Sequence, residues 1–138
     1  MSDRSLIEAF VHQSYGRRRA GDVEGIMADF GADPVFRLAG DEILGALTSE
    51  IRGREALRQM VQSLVELWDW SEHGVDTILI EGNRVVVHGK GVVRFLPTGE
   101  RFTTETLDLL TLVDGKIGEF VEFCDTHTVA KAMNSVAA

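Results

Sequence analysis

The chain has 138 residues, enough for one domain with a working core and too few for two. Hydrophobic residues make up 44% and charged residues 26%, the usage of an ordinary globular domain. Fourteen Lys and Arg against 22 Asp and Glu leave a net charge of −8, which excludes a nucleic-acid partner, because phosphate neutralisation needs clustered cations. Cys124 is the single cysteine and cannot form an internal disulfide. The opening stretch MSDRSLIEAF carries no basic-then-apolar leader, and no apolar run reaches the roughly 20 residues that cross a bilayer. A cytoplasmic protein with no membrane contact is the expectation.

The first half reads at helical period. From Ser5 to Arg19, Ile7, Phe10, Val11 and Ser14 form one stripe with Tyr15 beside it. Arg17-Arg18-Arg19 closes that helix as a cationic last turn complementing the dipole; a phosphate or coenzyme contact is the alternative reading. Gly21-Asp22 breaks and restarts the chain, with Asp22 as N-cap of a short helix carrying Val23, Ile26, Met27 and Phe30. Asp33-Pro34 ends that helix, and residues 35–38 read as a first strand. Residues 40–53 are loop-like but hold Ile43, Leu44, Leu47 and Ile51, so the loop should lie over something. Leu57, Met60, Val61, Leu64 and Trp68 then mark an amphipathic helix over 54–68. Trp68 and Trp70 sit at its hand-over to the sheet.

After His73 the period changes to that of strands. Turn signals at Glu81-Gly82-Asn83, Pro97-Thr98-Gly99 and Asp114-Gly115 divide strands over 75–80, 84–95, 102–113 and 117–124. Short connections make them an antiparallel meander. A last helix over 126–133 follows, with Asp125 at its start. Helices first and a sheet after them define an α+β domain over 1–138.

Four motifs, in this order, give the chain a resemblance. They are A-G-D-V-E-G-I-M-A-D-F (20–30), R-G-R-E-A-L-R (52–58), P-T-G-E-R-F-T-T-E (97–105) and D-G-K-I-G-E-F-V-E-F-C-D-T (114–126). The sequence resembles the SnoaL-like, ketosteroid-isomerase-like branch of the nuclear transport factor 2 superfamily over nearly its whole length. That resemblance implies a cone: three N-terminal helices packed on a curved antiparallel (mixed-edge) sheet, with a short C-terminal helix. The open end of the cone admits a small apolar or polyketide-like molecule.

The same fold carries enzymes and binding modules, so function must be argued from residues. The ketosteroid isomerases themselves use a helix Tyr, a first-strand Asp and a later-strand Asp. Here those positions fall on Ser14, with Tyr15 one step away, on Leu38, and on Asp108 after a one-residue shift. Leu38 accepts no proton, so a strict steroid isomerase is excluded. Polyketide-cyclase-like relatives imply Asp125 as acid/base, and phenazine-biosynthesis-like relatives imply Glu122. Asp125 also reads as a helix cap, and Glu122 as a rim acid. Strand parity separates Glu122 from Asp125, and Glu105 from Asp108, so only one of each pair faces the cone. Tyr15, Phe36, Trp70, His88 and Glu105 are the candidate ligand contacts, His88 reading equally as a structural histidine.

His12, His73 and His127 lack metal-ligand spacing, no phosphate loop or nucleophile elbow is present, and Gly89-x-Gly91 inside a strand reads as relief for curvature; no metal or cofactor is expected. The leading reading is a small-molecule enzyme of proton-transfer type, an isomerase, cyclase or dehydratase. The alternative is a binding or protein-interaction module that kept the cone without the catalysis.

The strand over 104–113 turns apolar on both faces beyond Leu107, so its second face needs a partner, and a homodimer through the sheet supplies one. It should bury about 1,200 Å² or more in total. Light scattering at micromolar concentration should give the mass of two chains; the mass of one chain rejects the dimer.

Overall fold

The computed structural model describes residues 3–40 and 48–137. Ile43, Leu44 and Leu47 of the expected covering loop lie outside the described residues. The element order is α1 (Asp3–Ala20), α2 (Val23–Ala28), β1 (Phe30–Ala39), β2 (Ile51–Arg52), α3 (Arg54–Leu67), β3 (Trp68–Glu81), β4 (Arg84–Phe95), β5 (Glu100–Val113), β6 (Lys116–Phe123) and α4 (Thr126–Ala137). The six strands form one sheet in the order β2-β1-β6-β5-β4-β3. All neighbours are antiparallel except β1 and β6, which run parallel.

The helices share one core with the inner face of that sheet. Val11 of α1, Met27 of α2 and Leu57 of α3 are buried with Val85, Val87, Leu110 and Phe120. This is the mixed α+β cone expected from the sequence. Asp22 caps α2 as read, accepting from the Gly25 N–H at 3.0 Å. Arg54, in the second motif, donates to the carbonyls of Met27, Phe30 and Gly31 at 2.9–3.1 Å. It thereby ties the start of α3 to the turn between α2 and β1. α4 packs Val129, Ala132 and Met133 against Trp68, Val93 and Phe95. Among the described residues no helix is long and apolar enough to cross a membrane.

Two boundaries differ most from the sequence reading. α2 ends at Ala28, and Phe30 begins β1 rather than closing the helix. Asp33-Pro34 lies instead where the β1–β6 register shifts, between Phe30 and Val35, a place that tolerates a residue without an N–H. The third strand begins at Trp68, not Val75. Its register against β4 slips twice, between Asp69 and Glu72 and between Val75 and Thr77. Each slip resets the in–out alternation, which hides the strand from a period-2 reading. On the outer face, Leu107 (41% exposed) pairs with Phe123 (44% exposed) across β5 and β6.

The bulged β3 demands glycine opposite it. Gly91 has φ of +146°, and a Cβ there would sit 2.1 Å from the Glu72 carbonyl oxygen. At Gly89 a Cβ would lie 2.8 Å from the His73 ring. Gly91→Ala should therefore cost about 2 kcal/mol or more of unfolding free energy, read by urea denaturation. An unchanged midpoint removes the close-approach explanation.

Candidate active site

The site begins on the buried side of α1. Val11, Ser14, Tyr15 and Arg18 fall at helical spacing and turn the same side of α1 toward the sheet. Opposite them, Asp108 of β5 and Glu122 of β6 are direct cross-strand partners, so both carboxyl groups project inward side by side. The Tyr15 hydroxyl donates to Asp108 Oδ2 at 2.5 Å. The Arg18 guanidinium reaches Asp108 Oδ2 at 3.4 Å and Glu122 Oε1 at 3.5 Å. It also lies 5.0 Å from the Tyr15 and Phe120 ring centres and 5.9 Å from that of Trp70.

Burial sets the protonation of this group. Asp108 is 1% exposed, and desolvation together with the neighbouring Glu122 charge holds its carboxyl well above the ordinary carboxylate range. Arg18 and Tyr15 oppose that shift without cancelling it. Burial, then Asp108, raises the Tyr15 phenol. For Arg18, burial disfavours the charge, but Tyr15, Glu122 and Asp108 outweigh it and keep the guanidinium firmly protonated. Asp108 thus holds its proton to a higher pH than an ordinary carboxyl does, beside a fixed cation.

Glu122 borders an apolar cavity of about 310 Å³, within the size of small-molecule sites, and Asp108 lies behind it. Phe36, Met60, Leu64, Trp68, Trp70 and Phe120 supply apolar wall, and Ser14, Arg18 and Glu122 supply polar wall. Exposed Ala20 and Leu96 lie on its lining and mark the solvent end. A chamber of about 20 Å³ adjoins it, lined by Tyr15, Arg18, Trp70, His73, Asp108 and Glu122, among others. A second side pocket, about 50 Å³, is lined by Phe36, Leu38, Trp70, Glu122 and Cys124, among others. Glu122 and Trp70 border all three spaces.

The candidates from the sequence separate into two groups. Tyr15, Phe36, Trp70, Asp108 and Glu122 come together around these spaces. Asp125, His88 and Glu105 do not. Asp125 is exposed and accepts from the Thr128 N–H at 3.1 Å and its hydroxyl at 2.6 Å, which lowers its pKa and makes it the cap of α4. His88 and Glu105 lie on the outer sheet face, His88 Nε2 bonding Glu105 at 2.8 Å while Nδ1 lies 3.4 Å from Asp76. Their parity, opposite to that of Val87 and Thr106, carries them outward.

Cys124 is half-buried, and burial pushes its thiol up to about 12, so it is an inert wall residue. Among the described residues no three His, Cys, Asp or Glu side chains are placed to share a metal ion.

Arg18 and His73 were missed. The triple-arginine run read as one cationic turn, yet Arg17 pairs with buried Asp29 while Arg18 enters the site. The available signal was periodicity: Arg18 lies seven residues beyond Val11 and four beyond Ser14, a charge on an apolar stripe.

The chain belongs to the SnoaL-like domain family, whose model matches residues 8–120. No curated protein matches it in sequence. Among solved structures, an NTF2-like protein from Burkholderia xenovorans LB400 is 24% identical, with 97% of this chain and 99% of that one aligned at a TM-score of 0.75. TerC, co-crystallised with polyporic acid, is 21% identical over 94% and 98% of the two chains, with a TM-score of 0.78. An LEH-like epoxide hydrolase from M. tuberculosis is 16% identical over 96% of each chain, with a TM-score of 0.72. At these identities the likeness establishes the fold.

Because folded Asp108 keeps its proton where the unfolded chain releases it, the native state binds more protons above the ordinary carboxyl pKa. Stability must then fall with rising pH until the raised native pKa is passed. Asp108→Asn removes this slope. From about pH 4 upward, the melting temperature of wild type relative to Asp108→Asn should decline with rising pH and level off once the raised native pKa is passed. A constant difference means that Asp108 ionises normally in the fold.

Proposed function

We propose that this protein is a small-molecule enzyme of proton-transfer type, an isomerase, cyclase or dehydratase, working on an apolar carbonyl compound in the main cavity. One observation carries the reading: two strand-paired carboxyl groups share an arginine, Glu122 at the wall of an apolar cavity and Asp108 buried behind it, where desolvation raises its pKa. Such a pair divides acid and base roles between like groups. Glu122, which borders the cavity, takes a proton from carbon beside the substrate carbonyl. Protonated Asp108, oriented by Tyr15, and the Arg18 cation stabilise the negative oxygen that develops. Trp70, Phe36 and Phe120 exclude water and hold the apolar body. The roles call for no metal or cofactor.

The rival reading, a binding module without catalysis, uses the same cavity and leaves the acid pair idle. The reading also includes a homodimer through the outer sheet face, supported by the paired exposed Leu107 and Phe123.

Proton exchange tests the chemistry without knowing the natural substrate. In deuterium oxide, the protein should accelerate loss of the α-protons of 2-tetralone, followed by proton NMR. Glu122→Gln and Asp108→Asn should each lower that rate by roughly 10²-fold or more. Asp125→Asn should leave it intact and cost little stability, since Asn also caps. No exchange above the buffer rate favours the binding module, and loss of exchange on Asp125→Asn alone returns the acid role to that residue.

A further inference from the structure

We propose that the small chamber beside the acids is a single-oxygen site, where His73 accepts a hydrogen bond from a phenolic or enolic hydroxyl of the ligand. This deepens the reading of the main cavity as the substrate site and rests on it. His73 sits on β3 and is 8% exposed. The Trp70 ring meets it edge-on at 5.0 Å, and the missing side chain of Gly89 leaves the space its Cε1 occupies. One ring N–H is bonded to the Thr104 carbonyl, while buried Nε2 has no partner among the described residues. The hydrogen therefore rides on Nδ1, and Nε2 offers a lone pair. Burial, then the Arg18 cation, pushes this imidazole down, so it stays neutral beside Arg18, Asp108, Glu122 and His88.

The chamber holds about 20 Å³, room for one oxygen atom and its hydrogen. Asp108 and Glu122 hydrogen-bond each other through the proton that Asp108 keeps, and Glu122 Oε1 also approaches Arg18 at 3.5 Å, so His73 Nε2 is the acceptor left without a partner among the described residues. Unpaired buried polar atoms are costly, so the chamber favours an occupant that brings an O–H. Its oxygen would in turn accept from Arg18, a donor-only group. A water could bring the same O–H. Trp70, Arg18 and Glu122 border both the chamber and the main cavity, so one molecule can fill both, its apolar body in one and its hydroxyl in the other. That continuity favours the ligand as the source.

The probes are 2-naphthol and 2-methoxynaphthalene, which share an apolar body and differ in the donor. Titration calorimetry on wild type should show 2-naphthol binding about tenfold or more tighter. His73→Phe keeps a ring against Trp70 and removes the acceptor, so it should bind both probes alike, with methoxynaphthalene affinity unchanged. Equal binding of the two probes by wild type overturns the hydroxyl site, leaving the chamber to water and the cavity reading intact. Failure of both probes to bind overturns it together with the cavity reading. Should His73→Phe not fold, nitrogen-15 NMR of the wild-type imidazole decides: a bare Nε2 whose resonance moves with 2-naphthol supports the site, and a protonated Nε2 overturns it.

Discussion

A guanidinium held between two carboxyl groups and three aromatic rings is the constraint around which this fold is arranged. Arg18 supplies one positive charge to a region where Asp108 and Glu122 could place two negative ones. In an apolar setting a surplus charge is expensive, and retaining one proton on Asp108 leaves the trio neutral. Chemistry and stability thus draw on one balance. A lysine would not replace Arg18 here. A compact ammonium cannot address two acids in one plane while lying near the faces of Tyr15, Trp70 and Phe120.

That trio also accounts for how α1 is seated. Its last turn divides three arginines among different partners: Arg17 to buried Asp29 and Arg18 to the acid pair, with Arg19 bordering the cavity. Across the sheet, the irregular β3 returns Trp70 and His73 toward the same point, and Gly89 and Gly91 clear the path. Regular pleating would have sent alternate residues of β3 away from the cone. The bulges trade ladder regularity for side-chain aim.

Much of the architecture was legible in the sequence because its signals are local. Asp22 before an apolar run, the Asp114-Gly115 turn and the stripe from Leu57 to Leu64 each act within a few residues. Parity along β5 and β6 also separated Asp108 from Glu105 and Glu122 from Asp125, although not which member of each pair faced inward. What escaped was set at a distance. Phe30 looked helical until its place beside Ile117 on β6 was known. Trp70 and His73 gave no strand signal because bulges break the period. Asp125 read both as an acid and as a cap, since both roles place a carboxylate at the end of a strand. His73 could not be singled out at all, because its isolation from hydrogen-bond partners exists only once Thr104, Gly89 and Trp70 surround it.

The parallel pairing of β1 with β6 has a consequence for how the chain reaches this state. Strands β3 to β6 are joined by tight turns and can zip together as successive local hairpins. β1, by contrast, must wait for a strand that lies near the far end of the chain, its Phe36 settling beside Phe120. Tyr15 and Asp108 are likewise 93 positions apart. During synthesis the first helices emerge with their polar partners still unmade, and Arg18 stays hydrated until β5 and β6 exist. The same long loop closure that slows assembly makes the acid site a late-forming one. A chain that has closed its acid cluster has therefore already paired β5 with β6.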